Sequence, residues 1–262
     1  MPSGLKPFVV VALLIVALPL LWVGAAALTE FGNTWTYRYR ITLGVSVGGK
    51  EHVGSSVIQV RVTQKSAMLP QTQGVSIKVS GEAVVVDLGN HGILFVLLKD
   101  VERPQRRAPN SWSASANEIT SSAFPRTQEE KGEWGLARTM RRYAQGGQGR
   151  ELQPDQLPLL VRFRNETAPS TIEQVDPTNL EMSIGPGARL TRATIETVPA
   201  GRFPFNISGL TLPRWLTGEP VTRKIKEVLP WLSPDPERRL IPPTGGRMPP
   251  YIALTAHGDF IR

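Results

Sequence analysis

An alternation of apolar and polar residues between Thr34 and Val47 constrains the fold more than any other feature of this sequence. Apolar side chains occupy every second position, and polar side chains or glycine occupy the positions between them. A period of two residues places the apolar side chains on one face of a β-strand. Because fourteen residues exceed the usual length of a strand, we expect a bend or a β-bulge near Gly44.

Two antiparallel hairpins are predicted from this region onward. Gly48 and Gly49 are suited to a tight turn, and the return strand alternates over residues 56–63, which predicts a first hairpin with one face in water. Two apolar runs at residues 83–88 and 93–98 predict a second hairpin. Strands that are apolar on both faces are typical of the centre of a domain. The sequence therefore predicts an α+β fold with a β-rich body of antiparallel hairpins and a few short helices.

Proline changes the character of the second half of the chain. Of the 23 prolines, 19 lie beyond residue 100, and proline interrupts both helices and central strands. We expect a long loop over residues 103–132, a helix over 133–145 and a proline-rich tail over 230–262 that runs extended along the surface. Apolar and polar side chains also alternate over residues 189–198, but the alternation is irregular. No break in composition divides residues 29–262, which we interpret as a single extracytoplasmic domain.

The N-terminal segment contains 21 consecutive residues, 8–28, without a charged side chain. A helix of this length reaches roughly 30 Å, the thickness of the hydrocarbon core of a bilayer. Residues 1–28 are therefore either an uncleaved transmembrane anchor or a signal peptide cleaved near residues 25–27. A buried helix of a soluble core is the third interpretation. We expect a single-pass protein of the inner membrane with its body in the periplasm, or a protein exported after cleavage.

Residue counts and motif searches remove several classes of function. The chain has no cysteine and only three histidines, which excludes disulfide, zinc-finger and iron–sulfur frameworks. It lacks the signatures of zinc proteases and of phosphate-binding loops. Asp87 and His91 lie across one turn and could pair as a base and its orienting carboxylate. The simpler interpretation is a turn residue beside a strand-end aspartate. We expect no cofactor and no metal.

A basic surface is the one binding site that the sequence predicts. The formal net charge is +8, and Arg138, Arg141 and Arg142 recur at helical spacing with Trp134 one turn earlier. Polybasic segments near a bilayer gain about 1 kcal/mol per charge from anionic lipid. The predicted partners are the membrane, through the N-terminal segment, and an anionic lipid or an envelope polymer. A solvated basic face without a ligand remains the alternative. We expect no nucleic acid, because no recognition motif accompanies the charge.

Several segments resemble an uncharacterised family of bacterial envelope-anchored proteins that has the same order of segments. The similar stretches are residues 36–60, 81–88, 157–164, 175–177 and 184–194. The resemblance implies an N-terminally anchored bacterial protein and no particular activity.

These observations predict an envelope protein that acts by binding or structural interaction rather than by catalysis. Two other classes stay open. The first is a periplasmic hydrolase that uses carboxylates or the Asp87/His91 pair. The second is a cytoplasmic nucleic-acid-binding protein, which the N-terminal segment disfavours.

Overall fold

The structure is a computed structural model that describes most of the chain after residue 31. The described residues are 32–65, 74–98, 114–132, 134–202, 212–232, 239–240, 254–255 and 259–261. The chain divides into two compact units, residues 1–35 with 62–77 and residues 36–61 with 78–262. In the first unit, the N–H of Gln64 donates to the carbonyl of Asn33 at 2.9 Å. The site residues discussed below all belong to the second unit.

The described residues form two antiparallel sheets, a two-stranded pair and five short helices. The strands are β1 (Thr34–Val47), β2 (Lys50–Lys65), β3 (Gly74–Ser80), β4 (Val84–Asp87), β5 (Ile93–Val96), β6 (Gly149–Glu151), β7 (Leu160–Phe163), β8 (Ile172–Val175), β9 (Arg189–Val198), β10 (Arg239–Leu240) and β11 (Leu254–Thr255). The helices are α1 (Ala114–Ala123), α2 (Gly135–Gln145), α3 (Leu180–Ile184), α4 (Arg214–Thr217) and α5 (Ile225–Val228). The five-stranded sheet has the order β3-β2-β1-β9-β6, and the four-stranded sheet has the order β4-β5-β7-β8. The prediction of a β-rich α+β body with antiparallel sheets is confirmed.

The membrane prediction falls outside these residues. No helix in the described part of the chain is long and apolar enough to cross a membrane. Residues 8–28, the predicted anchor or signal, lie outside the described residues.

Strand β1 has the bounds that its alternation predicts. Every second side chain from Tyr37 to Val47 is buried. The register against β9 shifts between Gly44 and Val45, where a bend or a bulge was predicted, although β1 itself continues without a break. The extra residue is Thr191 of β9, which has no register partner on β1.

The turn between β1 and β2 also follows the prediction. Gly48 and Gly49 have φ angles of 59° and 76°, the left-handed values that a two-residue hairpin turn requires and that glycine adopts without strain.

The four-stranded sheet carries an apolar core. Strands β4 and β5 are nearly continuous apolar runs, and the second predicted hairpin is confirmed as their antiparallel pair. The two sheets approach closely at Gly54 of β2, where an added β-carbon would lie 2.0 Å from the carbonyl oxygen of Val85 in β4. The buried cluster on this sheet comprises Ala83, Phe95, Leu97, Leu159, Val161, Phe163, Ile172, Ile225, Leu229, Leu232, Phe260 and Ile261.

Helix α1 corrects the expectation of a long loop over residues 103–132. Residues Ala114–Ala123 form a helix despite their polar sequence. The helix is held by a polar contact, because Thr120 is fully buried and its side chain hydrogen-bonds to Tyr37. The loop prediction is wrong for these ten residues, and residues 103–113 lie outside the described residues.

The end of the chain corrects the expectation of an extended surface tail. Phe260 is fully buried, its carbonyl accepts the N–H of Ala83 at 2.8 Å, and the carbonyl of Asp259 accepts the N–H of Leu98 at 2.8 Å. Residues 259–261 therefore add backbone hydrogen bonds and apolar side chains to the core beside β4 and β5. The prediction of a surface position over 230–262 is wrong for these residues.

Part of the polar face of the first hairpin, which was predicted to lie in water, is covered by protein. Arg38 is only 2% exposed, because its guanidinium donates to the carbonyls of Thr217 and Glu219 at 2.7 and 2.5 Å. Its Nε also donates to Gln59 at 2.9 Å. Burial lowers the pKa of Arg38, and the carboxylate of Glu219 acts in the opposite direction. The chain near α4 thus covers this end of the sheet, a contact that alternation alone could not predict.

Candidate binding surfaces

Helix α2 presents a buried and an exposed side, as its periodicity predicts. Ala137, Met140 and Tyr143 are buried, and the Tyr143 ring meets Tyr37 of β1 edge-on at 5.2 Å between centroids. Burial raises the pKa of the Tyr143 hydroxyl, which donates to the carbonyl of Phe124 at 2.5 Å.

Two of the three predicted arginines are exposed on the other side of α2. Trp134, which precedes the helix, is 66% exposed. Arg138 is exposed and donates to the carbonyl of Glu129 at 2.7 Å. Arg141 is exposed and has no hydrogen-bond or ion-pair partner among the described residues. We call Trp134, Arg138 and Arg141 the α2 surface.

Arg142 differs from its neighbours because its donors contact acceptors of the protein itself. It pairs with the carboxylate of Glu130 through two hydrogen bonds, at 2.6 and 2.8 Å. Further bonds reach Gln148 at 3.0 Å and the carbonyl of Pro125 at 3.1 Å. The hydrogen bonds from Arg142 hold the pKa of Glu130 below its usual range. Sequence spacing groups Arg142 with Arg138 and Arg141, whereas the structure gives it a packing role.

The Asp87 and His91 side chains are not joined by a hydrogen bond. The Asp87 carboxylate accepts the N–H of Gly89 at 2.8 Å, as a turn-stabilising aspartate does. Its backbone carbonyl lies 2.7 Å from Nδ1 of His52. In the part of the chain that the structure describes, no group of three or more His, Asp or Glu residues is arranged to hold a metal ion.

A cleft of about 620 Å³ lies along the first residues of β9 and was not anticipated from the sequence. Its walls come from the turn after β6 and from the start of α3. Strand β6 pairs with β9 at residues 194–196, and the N–H of Leu152 donates to the carbonyl of Ala193 at 2.8 Å. Beyond that bond, Arg189, Leu190 and Arg192 pair with β1 on one side, and no described strand pairs with this segment on the other.

The bulge at Thr191 places two arginines on one face of the sheet. Arg192 lies opposite Gly44, and Arg189 lies opposite Ser46. Because Gly44 and Ser46 are two residues apart on a regular strand, their partners share a face. Residues three apart on an unbulged strand would lie on opposite faces. Both arginines line the cleft, both are exposed, and neither has a hydrogen-bond or ion-pair partner among the described residues.

Gly44 leaves space for this arrangement. An added β-carbon at Gly44 would lie 2.8 Å from Oγ1 of Thr191, 3.0 Å from Oε1 of Glu51 and 3.1 Å from Cβ of Arg192. The Thr191 hydroxyl donates to Glu51 at 2.7 Å across that space. The one sequence signal for this site is the partly broken alternation over residues 189–198.

Comparisons with protein-family models, with curated proteins and with solved structures found no match.

Proposed function

We propose that this protein is an envelope protein, anchored through residues 8–28, that acts by binding, and that its α2 surface contacts anionic lipid. The observation that supports the lipid contact most directly is the exposure of Trp134 beside Arg138 and Arg141. An indole prefers the interface between lipid and water. Guanidinium groups are attracted to an anionic leaflet, so the two kinds of side chain favour the same environment.

An anchor would strengthen this weak surface contact. Two or three side chains give a free protein only a low affinity for a membrane. A chain already held at the bilayer makes the second contact within one molecule, at a high effective concentration. The uncharged run of 21 residues supports this arrangement.

The hydrolase alternative has less support from the structure. The Asp87 carboxylate accepts a turn N–H and is not hydrogen-bonded to His91. The acid–base pair would need that second bond to orient the imidazole.

Fluorescence quenching tests the lipid contact with the full chain. The protein is reconstituted in phosphatidylcholine vesicles, with or without phosphatidylglycerol, whose acyl chains carry bromine. Subtracting the signal of Trp134→Phe isolates the Trp134 contribution. We expect Trp134 quenching to increase with phosphatidylglycerol. It should decrease in 0.5 M salt, where the electrostatic screening length falls to about 4 Å.

A matched pair of double variants makes this test specific. Arg138→Ser with Arg141→Ser is expected to abolish the phosphatidylglycerol-dependent part of the quenching. Arg189→Ser with Arg192→Ser removes the same charge elsewhere and is expected to leave it unchanged. Equal quenching in neutral and anionic vesicles, or equal effects of the two double variants, would contradict the proposed contact.

Intact mass measured on the protein from fractionated native cells tests the anchor separately. A full-length species in the membrane fraction supports an anchor. A soluble exported species that begins near residue 28 would instead establish a cleaved signal peptide.

A further inference from the structure

We propose that the cleft beside β9 binds an extended acidic segment of a partner protein, which adds to the sheet as a strand next to residues 189–192. This interaction goes beyond the proposed lipid contact and uses a different part of the chain. It rests on a sheet edge without a described partner, a pair of unengaged guanidinium groups and a cleft that gives access to both.

The edge supplies the backbone recognition. Residues 189–192 offer roughly 13 Å of strand at about 3.3 Å per residue. Strand β6 and Leu152 occupy the same side of β9 as far as Ala193, so an added strand would continue their line. An unpaired edge is a template for an extended peptide, whose main-chain groups then give much of the affinity.

The arginine pair determines the charge of the partner. Arg189 and Arg192 lie on one face of the sheet, and alternate residues of an added strand lie on that same face. A carboxylate at two alternate positions can therefore meet both guanidinium groups in charge-assisted hydrogen bonds.

The same charges disfavour pairing with a second copy of this chain. Two copies joined along this edge would bring four guanidinium groups together. Charged side chains are a common means by which an exposed edge avoids pairing with itself. The edge thus combines protection against self-association with selection of an acidic strand.

The walls of the cleft suit the remaining side chains of such a strand. Pro154 lies on one wall beside the buried Leu152, and Pro177 lies on the other beside the buried Leu180, so the two prolines can contact apolar residues that alternate with the carboxylates.

Two acidic residues also line the cleft. The carboxylate of Glu181 accepts the N–H of Gly187 at 2.9 Å, and Glu151 lies opposite Thr194, two residues beyond Arg192.

Fluorescence anisotropy tests the proposal with the full chain in detergent micelles. The probe is a labelled, capped hexapeptide in which valine and glutamate alternate. A lysine version of the same peptide tests the charge, and a version N-methylated at alternate peptide nitrogens tests the strand pairing. We expect the glutamate peptide to bind with a Kd below about 1 mM, the lysine peptide not to bind, and N-methylation to weaken binding at least tenfold.

The same two double variants serve here, but the variant that was the control in the quenching experiment is now the test variant. Arg189→Ser with Arg192→Ser is expected to weaken binding at least tenfold without changing the thermal midpoint, because both side chains are exposed. Arg138→Ser with Arg141→Ser is the control of equal charge and is expected to bind normally. No binding of the glutamate peptide, equal binding of the lysine or N-methylated peptide, or equal effects of the double variants would overturn the proposal. Failure here leaves the quenching result on the α2 surface intact.

Discussion

Arg142 and Glu130 form a two-point ion pair, with distances of 2.6 Å from Nε to Oε1 and 2.8 Å from Nη2 to Oε2. The Glu130 side chain is 7% exposed and the Arg142 side chain 22% exposed. The pair fixes helix α2 to the short turn before it. It therefore also fixes the position from which Trp134 and Arg138 project.

Removing the arginine of this pair should destabilise the protein. Arg142→Ser leaves a buried carboxylate without its partner, so we expect a loss of about 3 kcal/mol in the free energy of unfolding. The neighbouring Arg141→Ser is the control and should change it by less than about 0.5 kcal/mol. Urea unfolding of the full chain in micelles, followed by circular dichroism, measures both values. Equal effects of the two substitutions would show that the ion pair does not hold the helix.

Acid should weaken the fold through Glu173, which is buried between two arginines on β7 and the chain that follows it. Burial raises the pKa of Glu173, but hydrogen bonds from Arg162 and Arg164 outweigh burial and hold it below its usual value. A lowered folded-state pKa gives stability that is fully present above the unfolded value, about 4.3, and is lost as the pH falls through the folded value.

The variant Glu173→Gln tests this sign. The difference in unfolding free energy between the natural protein and this variant should be constant between pH 7 and about pH 5 and should shrink at lower pH. Urea titrations at several pH values give the difference. A difference that grows as the pH falls would contradict the direction of the shift.

A methyl group at Gly54 should separate the two sheets. Its β-carbon would lie 2.0 Å from the backbone carbonyl oxygen of Val85, an atom that cannot rotate away. We expect Gly54→Ala to lower the free energy of unfolding by about 3 kcal/mol or more. Gly149→Ala is the matched control in a strand, since its β-carbon would meet its nearest neighbour at 3.9 Å. Similar thermal midpoints for the two variants would show that the sheets are not in such close contact.

Truncation of the Phe260 side chain should lower the free energy of unfolding, because residues 259–261 belong to the core. Its ring packs against Phe95 and Phe163, with centroids at 5.8 and 6.0 Å. Phe260→Ala removes a fully buried ring, and we expect a cost of about 3–5 kcal/mol. Met182→Ala, at a side chain that is 64% exposed, should be nearly neutral in the same unfolding measurement. A neutral Phe260→Ala would place these residues outside the core.

Local patterns predicted the elements whose partners lie close in sequence. The alternation over Thr34–Val47, the turn at Gly48 and Gly49, and the β4–β5 hairpin follow from side-chain period and turn chemistry alone. Helix α1 and the return of Phe260 do not, because both depend on contacts with distant segments. Helix α1 is polar and buries Thr120, so it lacks the apolar periodicity that predicts a helix. Phe260 and Ile261 follow a proline-rich segment, which does not indicate a buried position.

The candidate surfaces divide in the same way. Helical spacing predicted that Trp134, Arg138 and Arg141 share an exposed region. Spacing could not show that Arg142 pairs with Glu130, twelve positions earlier. The sequence could not show that Arg189 and Arg192 lie on the same face of the sheet. The bulge at Thr191 changes the alternation along β9, and only the register with β1 reveals it.

The closure of the core by residues 259–261 has a consequence for the order of folding. The hairpin β4–β5 can form early, since its strands are neighbours in sequence. Its outer hydrogen bonds at Ala83 and Leu98, however, are made with the carbonyls of Phe260 and Asp259. Those two N–H groups stay without their native acceptors until residues 259–261 are present. An incompletely synthesised or incompletely translocated chain therefore exposes an unfinished apolar sheet, the kind of surface that chaperones bind.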